Sequence, residues 1–158
     1  MQRIISVIVV TLIFVLSSNA AFAKNLPAGG MTLEEVQKWL QDEGYKAQFY
    51  TLKDGGRTVA SSSDGFSWKI YMFDCNPDGR CGSMQFAMGL DTKGAFNAEK
   101  MNDWSRDNRW ARAYVDSVND PWLEYDVDLT PGGTYELLND EFAIWRNGVK
   151  RFHTFLGV

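Results

Sequence analysis

The sequence predicts an α+β domain: an antiparallel sheet, made of a four-strand meander plus a hairpin, covered by three helices in the order α-β-β-β-β-α-β-β-α. Three observations predict it. Two neighbouring segments, Phe66 to Asp74 and Ser83 to Leu90, alternate apolar and polar residues as half-buried strands do. Three other segments repeat apolar residues at helical spacing. The connections between the strands are short, which joins them antiparallel.

The elements follow in order. Thr32-Leu33-Glu34-Glu35 is a T-x-x-E capping box, with Thr32 as N-cap. Leu33, Val36 and Leu40 then form an apolar stripe with Trp39 beside it, and Gly44 is placed to stop the helix. Lys46 to Lys53 and Thr58 to Ser62 read as two short strands. Asp54-Gly55-Gly56 turns the first, and Ser63-Asp64-Gly65 ends the second. In the next pair, Phe66, Trp68, Ile70 and Met72 share one face, opposite Ser67, Lys69, Tyr71 and Phe73.

Cys75 and Cys81 enclose five residues between these two strands. If they face each other, Met72 falls opposite Met84, Ile70 opposite Phe86, Trp68 opposite Met88 and Phe66 opposite Leu90. Every such pair is apolar, and a one-residue slip would turn a whole apolar set outward. Asn97 to Asn108 reads as the second helix, with Ala98, Met101 and Trp104 packing inward. Ala111 to Val118 and Trp122 to Leu129 form the hairpin. Apolar matching there favours a three-residue turn through Pro121, with Tyr125 facing Val115, Val127 facing Ala113 and Arg112 facing Asp128. A two-residue Asn119-Asp120 turn is the alternative. Thr134 N-caps the third helix, where Leu138, Phe142, Trp145, Val149, Phe152 and Leu156 recur at alternating spacings of four and three. Packing on the sheet is the favoured use of this stripe, ahead of a coiled-coil dimer seam.

Not all 158 residues belong to that domain. Met1-Gln2-Arg3 precedes an apolar run from Ile4 to Leu16, then small residues ending in Ala21-Phe22-Ala23. This is the order of a secretory leader, residues 1–23, with cleavage after Ala23. The run is short for a membrane span, which takes about 20 residues, so a cleaved leader is favoured over an uncleaved anchor. Residues 24–31 read as a linker and 32–158 as the domain. Without the leader the net charge is −5, since Arg3 is its only charged residue. Periplasmic or secreted localisation is the expectation, and a disulfide between Cys75 and Cys81 suits an oxidising compartment. The acidic balance argues against nucleic acid as a partner.

Few chemistries are open to this composition. Two cysteines cannot build a Cys-rich zinc site, and one histidine excludes sites needing two. No serine sits in a G-x-S-x-G elbow, no Gly-rich phosphate loop occurs, and no nucleophile can be paired with a base. No catalytic residue and no cofactor are therefore assigned. Asp74, Asn76 and Asp78 match the opening of an EF-hand loop, D-x-[DN]-x-[DN]-G, and are the candidate cation ligands. The twelfth position is Gln85 rather than Glu, and the flanks read as strands, so a structural turn is preferred. Glu124, Asp126 and Asp128 share a strand face, read as solvated. Arg106, Arg109 and Arg112 raise an anion site or a partner-facing patch, with solvated ion pairs preferred. Trp39, Trp68, Trp104 and Trp145 fall on core faces, leaving Trp110 and Trp122 as candidates for exposure. With Tyr71 and Phe73 they form the candidate partner-facing set.

Several stretches resemble one family. They are Tyr71-Met72-Phe73-Asp74-Cys75, Cys81-Gly82-Ser83-Met84-Gln85-Phe86, Asn102-Asp103-Trp104-Ser105, Arg109-Trp110-Ala111-Arg112-Ala113-Tyr114 and the helix from Trp145 to Leu156. Together, over about residues 32–156, they resemble the YbjN domain family, described as bacterial sensory transduction regulators. The resemblance implies a fold similar to type III secretion chaperones, small α+β proteins that commonly dimerise and bind extended polypeptide. It carries no catalytic residues. The expected function is an exported, non-catalytic domain that binds a protein or peptide, in a sensory or chaperone-like role, with a homodimer as a further expectation. A small-ligand or cation-binding module is the alternative, and a small hydrolase is the least favoured.

Overall fold

The computed structural model describes residues 23–158, so the expected leader lies outside the described residues except for Ala23. The elements are α1 (Leu33–Asp42), β1 (Ala47–Thr51), β2 (Arg57–Ser63), β3 (Phe66–Cys75), β4 (Cys81–Gly89), α2 (Ala98–Asp107), β5 (Arg112–Val115), β6 (Pro121–Asp128) and α3 (Tyr135–Leu156). Their order is the one the sequence predicts. The six strands make one antiparallel sheet, ordered β1-β2-β3-β4-β6-β5. Meander and hairpin are therefore continuous. β6 returns to lie beside β4, with Tyr125 facing Phe86 and Val127 facing Met84.

Local chemistry sets the element ends. Thr32 Oγ1 accepts from Glu35 N, and the Glu35 carboxylate accepts from Thr32 N, closing the capping box. Gly44 adopts a left-handed φ of 86° after α1, donating its N–H to Gln41 O while Tyr45 N donates to Leu40 O. Asp64 and Gly65 join β2 to β3 with φ positive at both, as a tight hairpin requires. The β3–β4 ladder pairs Cys75 with Cys81, Met72 with Met84 and Ile70 with Phe86, and the two cysteines are bonded. That register is the one deduced from the cysteines and the alternation. The ladder runs only as far as Lys69 and Ala87, so the outer Trp68–Met88 and Phe66–Leu90 pairs lie beyond it.

All three helices pack on one face of the sheet. Phe86 stacks between Phe142 and Trp145, with ring centroids 5.8 and 5.5 Å away, and Trp68 meets Phe142 edge-on. Trp39 of α1 and Trp104 of α2 join this cluster through Phe142 and Phe152. All six stripe residues of α3 are buried, so the stripe is used within the chain and not as a dimer seam.

Two expectations need correction here. The β5–β6 register sets Arg112 opposite Glu124 and Ala113 opposite Leu123, four residues along β6 from the expected partners Asp128 and Val127. The cause is Asp116. Its Oδ1 accepts from the backbone N–H of Val118 and of Asp120, both at 3.0 Å, and its Oδ2 from Trp122 Nε1. One side chain thus organises a five-residue turn that neither shorter alternative contained. The face parity is unaffected, so the apolar matching holds. Residues 24–31 are not a free linker either. Leu26 N donates to Gly133 O at 2.8 Å, Met31 exchanges backbone hydrogen bonds with Cys81, and Leu26 and Met31 are buried. Apolar side chains within a Pro/Gly-rich stretch dock it against the hairpin and the start of α3.

Candidate functional site

The face of the sheet opposite the helices is bare among the described residues. Strand alternation decides what it carries. Tyr50 comes from β1, Ala60 and Ser62 from β2, and Ser67, Lys69, Tyr71 and Phe73 from β3. β4 adds Gln85, Ala87 and Gly89, β6 adds Trp122, Glu124 and Asp126, and β5 adds Arg112 and Tyr114. Small residues across the middle strands leave a trough of about 620 Å³ at the end of the sheet away from the disulfide. Its floor is Ala60, Ser62, Ser67, Ala87 and Gly89. One wall is Tyr50, with Lys69 Nζ 4.0 Å from its ring centre. The other is Trp122. A Cβ on Gly89 would lie 2.6 Å from the Trp122 ring, so the glycine is what lets that indole lie down on the sheet. Tyr114 stacks behind it at 6.3 Å.

Acids and bases stand on opposite rims. Lys46 and Lys69 lie beside Tyr50, and Asp91, Asp116 and Asp120 lie beside Trp122. Asp120 Oδ1 accepts from Thr92 N, Thr92 Oγ1 and Gly94 N, and chiefly the Thr92 backbone bond holds its pKa down. Asp116 is held down chiefly by the Asp120 backbone bond. Both stay ionised as turn-builders that also charge the rim.

The acidic strand face forms a closed network. Glu124 accepts from Arg112 Nη2 at 2.7 Å and from Tyr114 Oη at 2.9 Å, and Asp126 accepts from Arg112 Nη1 and Gln85 Nε2. Burial, then the bond to Glu124, pushes the Tyr114 hydroxyl up to about 12. Burial followed by the Glu124 charge also raises Tyr71. Arg112 is therefore an ion-pair residue, as is Arg106, which holds Asp103 and Asp107.

In the candidate cation turn, Asn76 Oδ1 accepts from Asp78 N and Arg80 N, and Asp74 Oδ2 accepts from Ser83 Oγ. These oxygens serve the turn. Among the described residues no three His, Cys, Asp or Glu side chains form a metal-sized group. Arg80 leaves the same loop to meet Glu35 in a two-pronged pair at 2.9 and 3.0 Å. Burial raises the Glu35 pKa, but the Arg80 and Thr32 hydrogen bonds outweigh it and the carboxyl ends lower than usual.

The partner-facing set divides. Tyr71, Phe73 and Trp122 share the bare face, with Phe73 45% exposed and Trp122 half-buried. Trp110 is 60% exposed but lies on the helix side, where α2 leads into β5, so it does not join them. Tyr50 and the small-residue floor were missed in the sequence. Their signal was present in Ala87 and Gly89 alternating with Phe86 and Met88 on β4.

A six-stranded antiparallel sheet with helices on one face and an aromatic-walled trough on the other defines the class, an α+β domain. Residues 32–157 match the YbjN family, described as "Putative bacterial sensory transduction regulator". The chain belongs to that family, one described as a regulator and not as an enzyme. A crystal structure of YbjN from E. coli, described as "a putative transcription regulator", shares the fold with a TM-score of 0.53 and 16% identity, over 79% of this chain and 88% of that one. No curated protein sequence matches.

Proposed function

We propose that the protein is an exported regulatory or chaperone-like domain that binds an extended stretch of another polypeptide across the bare sheet face. The observation that carries this reading is the trough between Tyr50 and Trp122, with exposed Phe73 on the same face of the sheet. An exposed apolar surface of this kind rimmed by charge is the mark of a partner site. Acid on one rim and base on the other would orient a segment laid across the strands. Export is supported by the leader pattern in residues 1–23 and by the Cys75–Cys81 bond, which suits the periplasm or the exterior.

The test is site-specific photo-crosslinking in the producing cell. Crosslinkers at Tyr50 and Phe73 should capture a polypeptide, and one at Lys150 on α3 should not. Ala60→Trp, which fills the trough floor, should abolish capture at Tyr50. Equal capture from all three positions would sink the reading. Amino-terminal sequencing of the mature protein tests export and should begin at Lys24. A small-ligand role remains the second reading, because about 620 Å³ also lies within the range of small-molecule pockets. A thermal-shift screen of small molecules against peptides separates the two.

A further inference from the structure

The tryptophans differ in what their indole nitrogens do. Trp39 Nε1 donates to Asn139 Oδ1 at 2.8 Å, Trp68 Nε1 to Ser63 Oγ at 3.1 Å and Trp122 Nε1 to Asp116 Oδ2 at 3.3 Å. Trp104 and Trp145 are as deeply placed, 2% and 1% exposed, yet neither nitrogen has a partner. Buried donors are nearly always satisfied, and an orphan one points to something that meets it. Both side chains line the same cavity, about 190 Å³, between the end of α2, the approach to β5 and one side of α3. A third polar atom buried without a partner, Asn108 Oδ1, belongs to the same lining.

The charge at this cavity has one sign. Arg109 and Arg151 line it, and no Asp or Glu does, although the chain carries 20 acidic residues. Arg80, Arg106 and Arg112 each hold a carboxylate, whereas Arg109 and Arg151 hold none among the described residues. Arg109 instead stacks 4.6 Å over Trp110. The rest of the wall is apolar, from Trp110, Ile144 and the Tyr125 ring. Gly148 of α3 keeps the space open, for a Cβ there would meet nothing within 4 Å.

We propose that this cavity, separate from the trough and independent of its role, binds a small organic carboxylate carrying a short aromatic or branched apolar group. Guanidinium groups are donors without acceptor capacity, which selects an anion. The space equals roughly six water molecules at about 30 Å³ each, the scale of a small organic acid. The carboxylate meets Arg109 and Arg151, and the apolar part rests on Trp110 and Ile144, beside the rings of Trp104 and Trp145.

The test titrates the folded protein with benzoate, isobutyrate and neutral benzamide. Calorimetry gives the affinities, and the indole N–H resonances report the place. At least one carboxylate should saturate at millimolar concentration or below, shifting the Trp104 and Trp145 signals and leaving Trp39 unmoved. Benzamide should bind at least about tenfold more weakly than benzoate. The surface double variant Arg109→Gln/Arg151→Gln should lose about tenfold or more, and Gly148→Leu, which fills the cavity, should not bind. No saturable carboxylate binding, equal affinity for benzamide, full affinity in the arginine variant, or shifts at Trp122 in place of Trp104 and Trp145 would each overturn the proposal.

Discussion

Replacing Gly148 by alanine should stabilise this protein. Glycine inside a helix costs about 0.8–1.0 kcal/mol relative to alanine, because its backbone loses more freedom on folding. Gly148 lies inside the 22-residue α3, and α3 has no other glycine before its C-cap at Gly157. Such a gain is usually cancelled where the new methyl group collides with a neighbour, but here, beyond the helix's own backbone and the adjacent residues, nothing lies within 4 Å of its position. Nearly the full propensity difference, about 1 kcal/mol, should therefore appear. With an unfolding entropy of about 2.1 cal/mol/K per residue, a domain of about 135 residues converts this into a rise in Tm of roughly 3–4 °C. Calorimetry and urea unfolding measure it, with an unchanged m-value as the sign that only stability moved. Gly148→Pro in parallel should lose about 3 kcal/mol or more, since it removes a helical hydrogen bond. An alanine variant that melts at or below the parent's temperature would refute the reasoning, because the space beside Gly148 would then not be open.

Three further outcomes are expected. Reducing the Cys75–Cys81 bond, whose sequence separation is 6, should cost about 2–3 kcal/mol by chain entropy, read as a lower urea midpoint in dithiothreitol. Gly30→Ala should destabilise by about 1–3 kcal/mol from backbone conformation alone, and more in total, since Gly30 has φ of 90° and its Cβ would fall 1.9 Å from Cys81 O; urea unfolding reads it. His153 should make stability depend on pH. Burial lowers its pKa, its Nδ1 faces Val158 O, and its Nε2 is buried beside Phe66 with no acceptor for an added proton. The folded state thus binds the proton less readily than the unfolded chain, so stability is full above about pH 6.5 and falls as pH drops below it. It is the only histidine, and urea midpoints at pH 7.5 and 5.5 should differ in the parent but hardly in His153→Phe.

The parts of this fold that could be read from sequence are those where two local signals agree. The cysteines and the alternation of Phe66–Asp74 both select one β3–β4 register, and the capping residues Thr32 and Thr134 mark the starts of α1 and α3. The pairing of β4 with β6 was not legible, because α2 and β5 intervene and no local residue chooses that edge. The β5–β6 register was missed because a side chain, Asp116, and not the turn's length, sets the geometry. Trp104 and Trp145 were correctly read as core, but periodicity says nothing about where an indole N–H points. Their shared cavity with Arg109 appears only once α2 and α3 meet.

The docking of residues 24–31 has a consequence for how the domain is made. Lys24 N lies 3.2 Å from Glu136 Oε1, and Leu26 bonds to Gly133, across more than a hundred intervening residues. Closing a loop of that length carries an entropic cost that local contacts do not. A chain emerging amino-terminus first has no partner for Leu26 until the start of α3 has been synthesised. The clasp therefore cannot shut until nearly the whole chain has been made, which ties the first residues of the domain to its last helix.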